Sequence, residues 1–284
     1  MEFHTFQKAI ERAQQLDIPS DVHLCGLGEP LLHPRVVDCV HYLTEKGLYS
    51  DITTNGFMLT KDLSRELIDA GLKEIQFSAS GIDHLYEKIH NLDFETTKRN
   101  VLDFLNISRG KCWICISVTV CDENKNEVEG IKKFWKREGI NRFVFVENNN
   151  RGGAMDTARY FVKSDNYYTQ AREILEANSI DTLCEVPHIY IFIGWDGNYY
   201  MCCNDYGKRH PLGNVFDSSI EEINRIKKKR FRDGLDICCK CDQDKTNKIR
   251  EILFRVEKGE ASESAIHEKV KGMKKSGLKG RVID

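Results

Sequence analysis

The sequence predicts an α/β fold in which a parallel sheet can curl into a partial barrel, followed by a small α+β domain. Three observations support this fold class. Up to about residue 150, short apolar runs of strand length alternate with helical segments of about 10–15 residues. Asp196-Gly197 then separates two apolar runs, which is typical of a tight β-hairpin with both turn residues at positive φ. Charged segments with helical periodicity end the chain.

The alternating segments can be placed in order along the chain. Apolar residues at helical spacing predict a first helix over 3–16. Gly47, Gly71 and Gly139 each follow a predicted helix, where glycine readily takes the left-handed conformation that ends it. Because ligands of such sheets bind at the C-terminal ends of the strands, the loops after the strands are candidate binding sites. The predicted strands are 22–26, 49–53, 74–79, 113–120 and 142–146, and the later helices are 36–46, 61–70, 85–89, 94–107 and 126–138.

Composition narrows the class of protein. The chain has 284 residues, of which 40% are hydrophobic, so it can form a packed core in one large or two smaller domains. A net charge of −2 gives no reason to expect binding to nucleic acid or to an anionic membrane. No apolar run approaches the ~20 residues of a membrane span. Eleven cysteines without a secretory signal favour a reducing cytoplasm and metal ligation over disulfides.

Four cysteines have the spacing of a metal site. Cys184 precedes the predicted hairpin, Cys202 follows it, and Cys238-x2-Cys241 comes much later as a knuckle that can turn two thiolates onto one centre. Four soft ligands in two pairs suit either zinc or an iron–sulfur cluster, and the spacing alone leaves both open.

Two neighbouring cysteines are candidate substitutes for these ligands. They are Cys203 and Cys239, and Cys203 should face away from Cys202 on the same strand.

This C-terminal pattern resembles the SPASM or twitch region of radical SAM enzymes. Cys184, twelve residues, Gly197, four residues, Cys202 and then Cys238-x2-Cys241 match the family pattern element by element. The segment GNVFDSSIEEI at 213–223 is also similar to one that the family carries between the two halves. No cysteine follows Cys241, so the resemblance is to the version with one auxiliary cluster. It implies a [4Fe–4S] cluster held by these four cysteines.

A second resemblance lies in three loops that follow successive predicted strands. CGLGEP at 25–30, TTNG at 53–56 and SASG at 78–81 resemble the loops of the radical SAM barrel in the same order. The resemblance implies a partial (β/α)6 barrel and binding of S-adenosylmethionine, with Glu29 pairing with the ligand's ammonium group. Leu27 stands where the family usually has a glycine. The implied cofactor-binding residues are Gly28, Glu29, Pro30, Asn55 and Ser78.

One departure from the family concerns the radical-generating cluster. The sequence contains no Cys-x3-Cys-x2-Cys triplet, which holds that cluster in the family. We therefore expect either a truncated chain or a degenerate relative, and no radical chemistry from the polypeptide as written. The expected domains are a radical SAM-like barrel over 1–150, an auxiliary-cluster domain over 151–243 and a helical tail over 244–284.

Three functional hypotheses follow. The first is a radical SAM protein related to enzymes that abstract hydrogen from a peptide or a small molecule such as a sugar. The second is a non-catalytic iron–sulfur or zinc protein that acts as scaffold or partner of a complete radical SAM enzyme. The third is an ordinary barrel enzyme with a structural zinc site.

The remaining motifs carry weaker expectations. Cys112 and Cys115 should point to opposite faces of a strand, and Cys25 and Cys39 should be small buried hydrophobes. The segment 147–153 is either a glycine-rich linker or places Arg151 near substrate. The basic run 227–230 ends a predicted helix, where it suits the helix dipole.

Overall fold

The computed structural model describes residues 1–16, 21–155, 166–181, 184, 186–233 and 235–275. The chain forms two compact units. Among the described residues, the sheet unit comprises Ala13–Asn148, and the cysteine unit combines Met1–Arg12 with those from Asn149 on. Helix α1 (Phe3–Gln14) therefore begins in the cysteine unit.

The sheet unit contains a five-stranded parallel sheet whose strands follow one another in chain order. A helix or a pair of helices connects each strand to the next, except between β1 and β2, where a 3₁₀ turn at Pro30–Leu32 precedes the helix. The strands are β1 (Asp21–Leu24), β2 (Tyr49–Thr54), β3 (Glu74–Ser78), β4 (Trp113–Val120) and β5 (Arg142–Glu147), and the helices are α2 (Val36–Glu45), α3 (Lys61–Asp69), α4 (Asp83–His90), α5 (Phe94–Ser108) and α6 (Val128–Arg137).

One face of this sheet forms the core of the unit. Ile52, Ile75 and Phe77 are fully buried against the helices. Because side chains alternate along a strand, Asp51 and Ser78 lie on the opposite face. The predicted α/β fold with a parallel sheet is confirmed.

The cysteine unit holds a small antiparallel sheet and a layer of helices. The sheet has the order β6-β7-β8, and its third strand was not predicted. Ala171, Leu175, Ile249 and Val270 form a buried core between three of the helices. The elements are α7 (Asn166–Ala177), α8 (Val186–Ile189), β6 (Phe192–Ile193), β7 (Asn198–Tyr200), β8 (Gly213–Asn214), α9 (Ile220–Asp233), α10 (Asp236–Lys240), α11 (Lys245–Glu257) and α12 (Ser264–Lys275).

The hairpin between β6 and β7 exists, but its turn differs from the predicted one. The N–H of Gly197 donates to the Gly194 carbonyl at 3.0 Å, so the turn spans four residues, 194–197. Only Gly197 has positive φ, at 78°, whereas Asp196 does not. Asp196 instead accepts hydrogen bonds from the Asn198 N–H at 3.1 Å and the Tyr200 hydroxyl at 2.7 Å. These hydrogen bonds to the Asp196 carboxylate stabilise the four-residue turn, in which only Gly197 has positive φ.

None of the helices in the described ranges is both long enough and apolar enough to cross a membrane.

Candidate metal centre and cofactor loops

The four predicted metal-ligating cysteines all belong to the cysteine unit. Cys184 comes just before α8, Cys202 follows β7, Cys238 lies in α10 and Cys241 directly after it. Cys202 and Cys241 are buried, and Cys184 and Cys238 are partly buried. Elements far apart in the sequence thus contribute to one region.

The thiols affect one another electrostatically. Burial is the main cause that raises the pKa of Cys202 to about 12; negative charge on Cys203, Cys241 and Cys184 contributes to the rise, and a hydrogen bond from the Asn204 N–H opposes it. Burial likewise raises the pKa of Cys238, with added contributions from Cys202, Cys241 and Cys184. Burial raises the pKa of Cys241 to about 11. A metal centre would have to displace these protons, which is the usual coupling between thiolate ligation and pH.

The spacing of the sulfurs bears on the kind of centre. Within the described ranges, no three Cys, His, Asp or Glu side chains are arranged to hold a single metal ion. In a four-iron cluster each cysteine binds a different iron, so its ligands stand further apart than the ligands of one zinc ion. Four thiols in one unit fit an iron–sulfur cluster, or a zinc ion with four cysteine ligands, in donor type and number.

Asn247 at the start of α11 holds the Cys238–Cys241 knuckle. Its Nδ2 donates to the carbonyls of Cys238 and Cys239, both at 3.2 Å, and of Cys241 at 2.9 Å. Its Oδ1 accepts from Nη1 of Arg250, a fully buried side chain, at 2.8 Å. The knuckle backbone is therefore fixed by one buried amide.

Asn150 holds the same knuckle through a second set of hydrogen bonds. Its Nδ2 donates to the Lys240 carbonyl at 2.6 Å, and its Oδ1 accepts from the Asp242 N–H at 3.2 Å. The Asp242 carboxylate in return accepts from the Asn150 N–H at 2.8 Å. Gly152 packs nearby at φ +62°, where a Cβ would lie 2.8 Å from the Asn204 carbonyl oxygen. The segment 147–153, expected to be either a glycine-rich linker or to place Arg151 near substrate, thus contributes to the geometry of the knuckle through Asn150.

Two further polar side chains lie beside the cysteines. Nδ2 of the buried Asn204 donates to Sγ of Cys241 at 3.4 Å, a contact of the kind that tunes iron–sulfur potentials. Lys227 is 1% exposed, and burial lowers its pKa to about 8, whereas the charge of Cys202 raises it.

The other cysteines differ in their exposure to solvent. Cys203 is exposed while its neighbour Cys202 is buried, as expected for adjacent residues. Cys112 and Cys115 are both buried in the sheet unit, and burial raises the pKa of each to about 12. Cys39 is buried as predicted, but the prediction for Cys25 was wrong, because it is exposed in the loop after β1.

In the sheet unit, the Glu29 carboxylate connects the first two strand-end loops. Its Oε1 accepts from the Leu31 N–H at 3.0 Å and the Thr54 hydroxyl at 2.6 Å, and its Oε2 accepts from the Asn55 N–H at 2.9 Å. A carboxylate offers about four acceptor positions, so roughly one remains for a ligand. Glu29 therefore shapes the loops as well as offering a charge.

Other predicted residues of these loops take distinct positions. Pro30 starts the 3₁₀ turn that Glu29 caps. Asn55 Oδ1 accepts from the Phe57 N–H at 2.9 Å. Beside Gly28, no heavy atom lies within 4 Å of the place a Cβ would take, so a ligand could approach the backbone there. Ser78 ends β3 opposite Ser117 of β4, on the face away from the helices.

Two residues that the sequence analysis did not single out hold these loops. Asn100 of α5 donates from Nδ2 to the carbonyls of Gly56 at 3.0 Å and Phe57 at 2.8 Å. His90 Nε2 accepts from the Ser80 N–H at 3.0 Å, and burial lowers the pKa of His90 to about 4. No sequence motif marks either residue, because an amide or imidazole side chain that bonds to a loop can lie at any separation from that loop in the sequence.

Comparison with known proteins identifies the class. Residues 1–134 match the model of the radical SAM superfamily, and residues 184–243 match that of an iron-sulfur cluster-binding domain known as SPASM. The chain belongs to the radical SAM superfamily and carries a C-terminal SPASM domain. The cofactors of this class are iron–sulfur clusters and S-adenosylmethionine.

Individual relatives are more distant. The tungsten-containing aldehyde ferredoxin oxidoreductase cofactor-modifying protein of Pyrococcus furiosus is 25% identical over 150 residues, which are 51% of this chain and 42% of that protein. The PqqA peptide cyclase of Bradyrhizobium diazoefficiens is 37% identical over 62 residues, 22% of this chain and 16% of the cyclase. The match thus spans less than half the length of these curated relatives.

Solved structures support the fold. The structure of anSMEcpe with bound AdoMet has a TM-score of 0.60 at 14% identity and covers 98% of this chain and 87% of its own. Streptococcus suis SuiB bound to the precursor peptide SuiA has a TM-score of 0.60 at 15% identity and covers 86% of this chain and 63% of its own.

Proposed function

We propose that the cysteine unit holds an auxiliary [4Fe–4S] cluster through Cys184, Cys202, Cys238 and Cys241. The observation that carries the proposal is that three segments far apart in the sequence, around 184, 202 and 238–241, bring these four thiols into one unit, where Cys184 and Cys241 act electrostatically on Cys202. Such a cluster, when bound, can accept an electron from a substrate radical or bind and orient substrate. Asn150 and Asn247 keep the knuckle backbone in the geometry that presents two of the ligands.

We further propose that the strand-end loops bind the methionine end of S-adenosylmethionine. The remaining acceptor position on Glu29 Oε2 suits an ammonium group, and open space beside the Gly28 backbone allows close approach. The Asn55 side chain and the Ser78 hydroxyl can hydrogen-bond the ribose or the carboxylate. The proposed binding residues are Gly28, Glu29, Pro30, Asn55 and Ser78.

The substrate class we propose is a peptide or a small molecule. Support comes from relatives whose names state a peptide partner: a PqqA peptide cyclase, and SuiB bound to the precursor peptide SuiA. Hydrogen abstraction from such a substrate would need the radical-generating cluster, and the sequence contains no Cys-x3-Cys-x2-Cys triplet to hold it. The second candidate is a non-catalytic partner of a complete radical SAM enzyme, which would not need that cluster.

The test of the cluster is metal analysis of the chain purified and reconstituted without oxygen. We expect about four irons and four sulfides per chain, the composition of the proposed cluster. Changing Cys238 to serine should remove most of both, whereas the same change at the exposed Cys203 should not. Zinc in place of iron and sulfide would overturn the proposal in favour of a structural zinc site.

The second test separates the enzyme from the partner. The chain is incubated with S-adenosylmethionine and a strong reductant, and 5′-deoxyadenosine is measured. Cleavage would show radical chemistry in this polypeptide. Binding of S-adenosylmethionine by calorimetry without cleavage would favour the non-catalytic candidate, and neither binding nor cleavage would overturn the proposed cofactor site.

A further inference from the structure

A buried lysine lies on the apolar face of α9. Ile220 and Ile223 are 1% and 0% exposed, and Lys227, one helical turn further on, is 1% exposed. Positions 220, 223 and 227 lie on one face of α9, and because this apolar face packs into the unit, an aliphatic residue would be expected at 227. Lysine is almost never fully buried unless it is paired, so this position needs a physical reason.

The ammonium group of Lys227 has two carbonyl acceptors and, among the described residues, no acidic partner. Its Nζ donates to the Pro187 carbonyl at 3.1 Å and the Tyr190 carbonyl at 2.9 Å. Both carbonyls belong to the α8 segment that follows Cys184. In the described part of the chain, Lys227 forms no ion pair with Asp or Glu. Two neutral carbonyls satisfy the donors but do not balance the charge.

The charge that acts on Lys227 comes from the proposed cluster site. Cys202 is the one charged group that influences it among the described residues. Lys227 thus contacts the segment after Cys184, and the negative charge of Cys202 acts on it. A centre held by four thiolates carries net negative charge, and each added electron increases it. A buried cation that contacts the segment after one of the ligands favours the reduced state of such a centre, since little solvent screens the attraction between the two charges.

We propose that Lys227 is a positioning and charge-balancing residue of the auxiliary cluster, which holds the backbone after Cys184 and raises the reduction potential of the centre. This inference rests on the proposed cluster function. It also revises the expectation for the basic run 227–230: α9 continues to Asp233, and the first lysine of the run points inward while Lys228 and Lys229 are exposed.

The experiment compares variants that separate charge from hydrogen bonding. Lys227→Met removes both, Lys227→Gln keeps an amide donor without the charge, and Lys227→Arg keeps the charge. Lys228→Met is the matched control, because it removes the same charge from an exposed position on the same helix. Each full-length chain is reconstituted without oxygen, its iron and sulfide are counted, and its midpoint potential is measured by a spectroscopic titration with dithionite.

We expect both neutral variants to disfavour reduction at least tenfold, a fall in potential of about 59 mV for one electron. Lys227→Arg and Lys228→Met should stay close to the unchanged chain. If both neutral variants lose iron while Lys227→Arg retains it, the requirement for charge is also supported.

Other results would overturn the inference. A neutral variant with full iron and sulfide and an unchanged potential would exclude charge balancing, and so would an equal shift in Lys228→Met. Equal loss of iron from all three Lys227 variants would show that only the fit of the lysine side chain matters. A wild-type chain that takes up zinc and no sulfide would instead overturn the proposed cluster itself.

Discussion

Replacing Asn247 by alanine tests how far the metal-site geometry depends on a residue that binds no metal. The substitution removes one Nδ2 group that serves three carbonyls of the knuckle, those of Cys238, Cys239 and Cys241. It also removes the acceptor of the buried Arg250 guanidinium at 2.8 Å. Leaving buried polar groups without partners costs about 1–3 kcal/mol each, and more for a charged group. We expect a loss of about 2–4 kcal/mol in total, because some carbonyls will find other donors.

The assay measures stability and metal retention separately. Thermal unfolding of the metal-free chain should shift down by on the order of 10 °C for the cysteine unit. Release of iron to a chelator should become about 10–100-fold faster, the usual effect of losing a group that orients metal ligands. Asn178→Ala is the control, because its amide also caps a carbonyl, that of Ile174 at 2.8 Å, but in the helical layer.

Two results would refute the reasoning. One is an Asn247→Ala protein with unchanged iron release, which would mean that the knuckle needs no support. The other is equal acceleration in Asn178→Ala, which would make the effect one of general stability. Asn247→Asp keeps an acceptor for Arg250, removes the donors to the knuckle and adds a negative charge, so both it and Asn247→Ala should release iron faster than the unchanged chain.

Three further predictions follow from other contacts. Glu29→Gln should weaken S-adenosylmethionine binding by about 1.5–3 kcal/mol in calorimetry, as for a lost charge-assisted bond; an equal loss in Thr54→Val would mean that Glu29 acts only through loop shape. The free energy of unfolding should decline as the pH falls from 6.5 towards about 4, because burial lowers the pKa of His90 and the unfolded chain binds a proton there first. Urea unfolding of His90→Gln should lack this part of the pH dependence, and an unchanged pH profile in that variant would contradict the prediction. Arg12→Met should lower the melting temperature more than Lys8→Met does, because Arg12 donates to the Val215 and Phe216 carbonyls at 2.9 and 3.3 Å, whereas Lys8 pairs with the exposed Glu11.

The parallel sheet could be predicted because its signals are local. Each strand is a short apolar run, and glycines at 47, 71 and 139 end helices with φ of 70°, 96° and 96°. Loops of small and polar residues at the strand ends stand out for the same reason. The four cysteines were found through their spacing, which is a property of the sequence and not of the fold.

The rest of the site depends on contacts between distant segments. Asn150 and Asp242 are joined by reciprocal hydrogen bonds across 92 positions of the sequence, and no local pattern marks either of them. The turn at 194–197 differs from the prediction because the Asp196 side chain supplies hydrogen bonds that Asp-Gly alone does not reveal. Helix α1 has an amphipathic pattern, but the pattern cannot tell which unit its apolar face will contact.

The side chains that donate hydrogen bonds to the knuckle backbone and to its sulfur are neutral amides. Asn150, Asn204 and Asn247 are neutral, so they can bond to backbone and sulfur without changing the net charge of the site. A lysine or arginine in their place could donate as well, but each would add an unbalanced charge to a buried region, at a cost of several kcal/mol. Two buried cations lie in the described part of this unit: Arg250, which bonds to Asn247, and Lys227, on which the charge of Cys202 acts. Neutral amides thus position the knuckle, whereas Lys227 is proposed both to hold the segment after Cys184 and to offset part of the charge of the cluster.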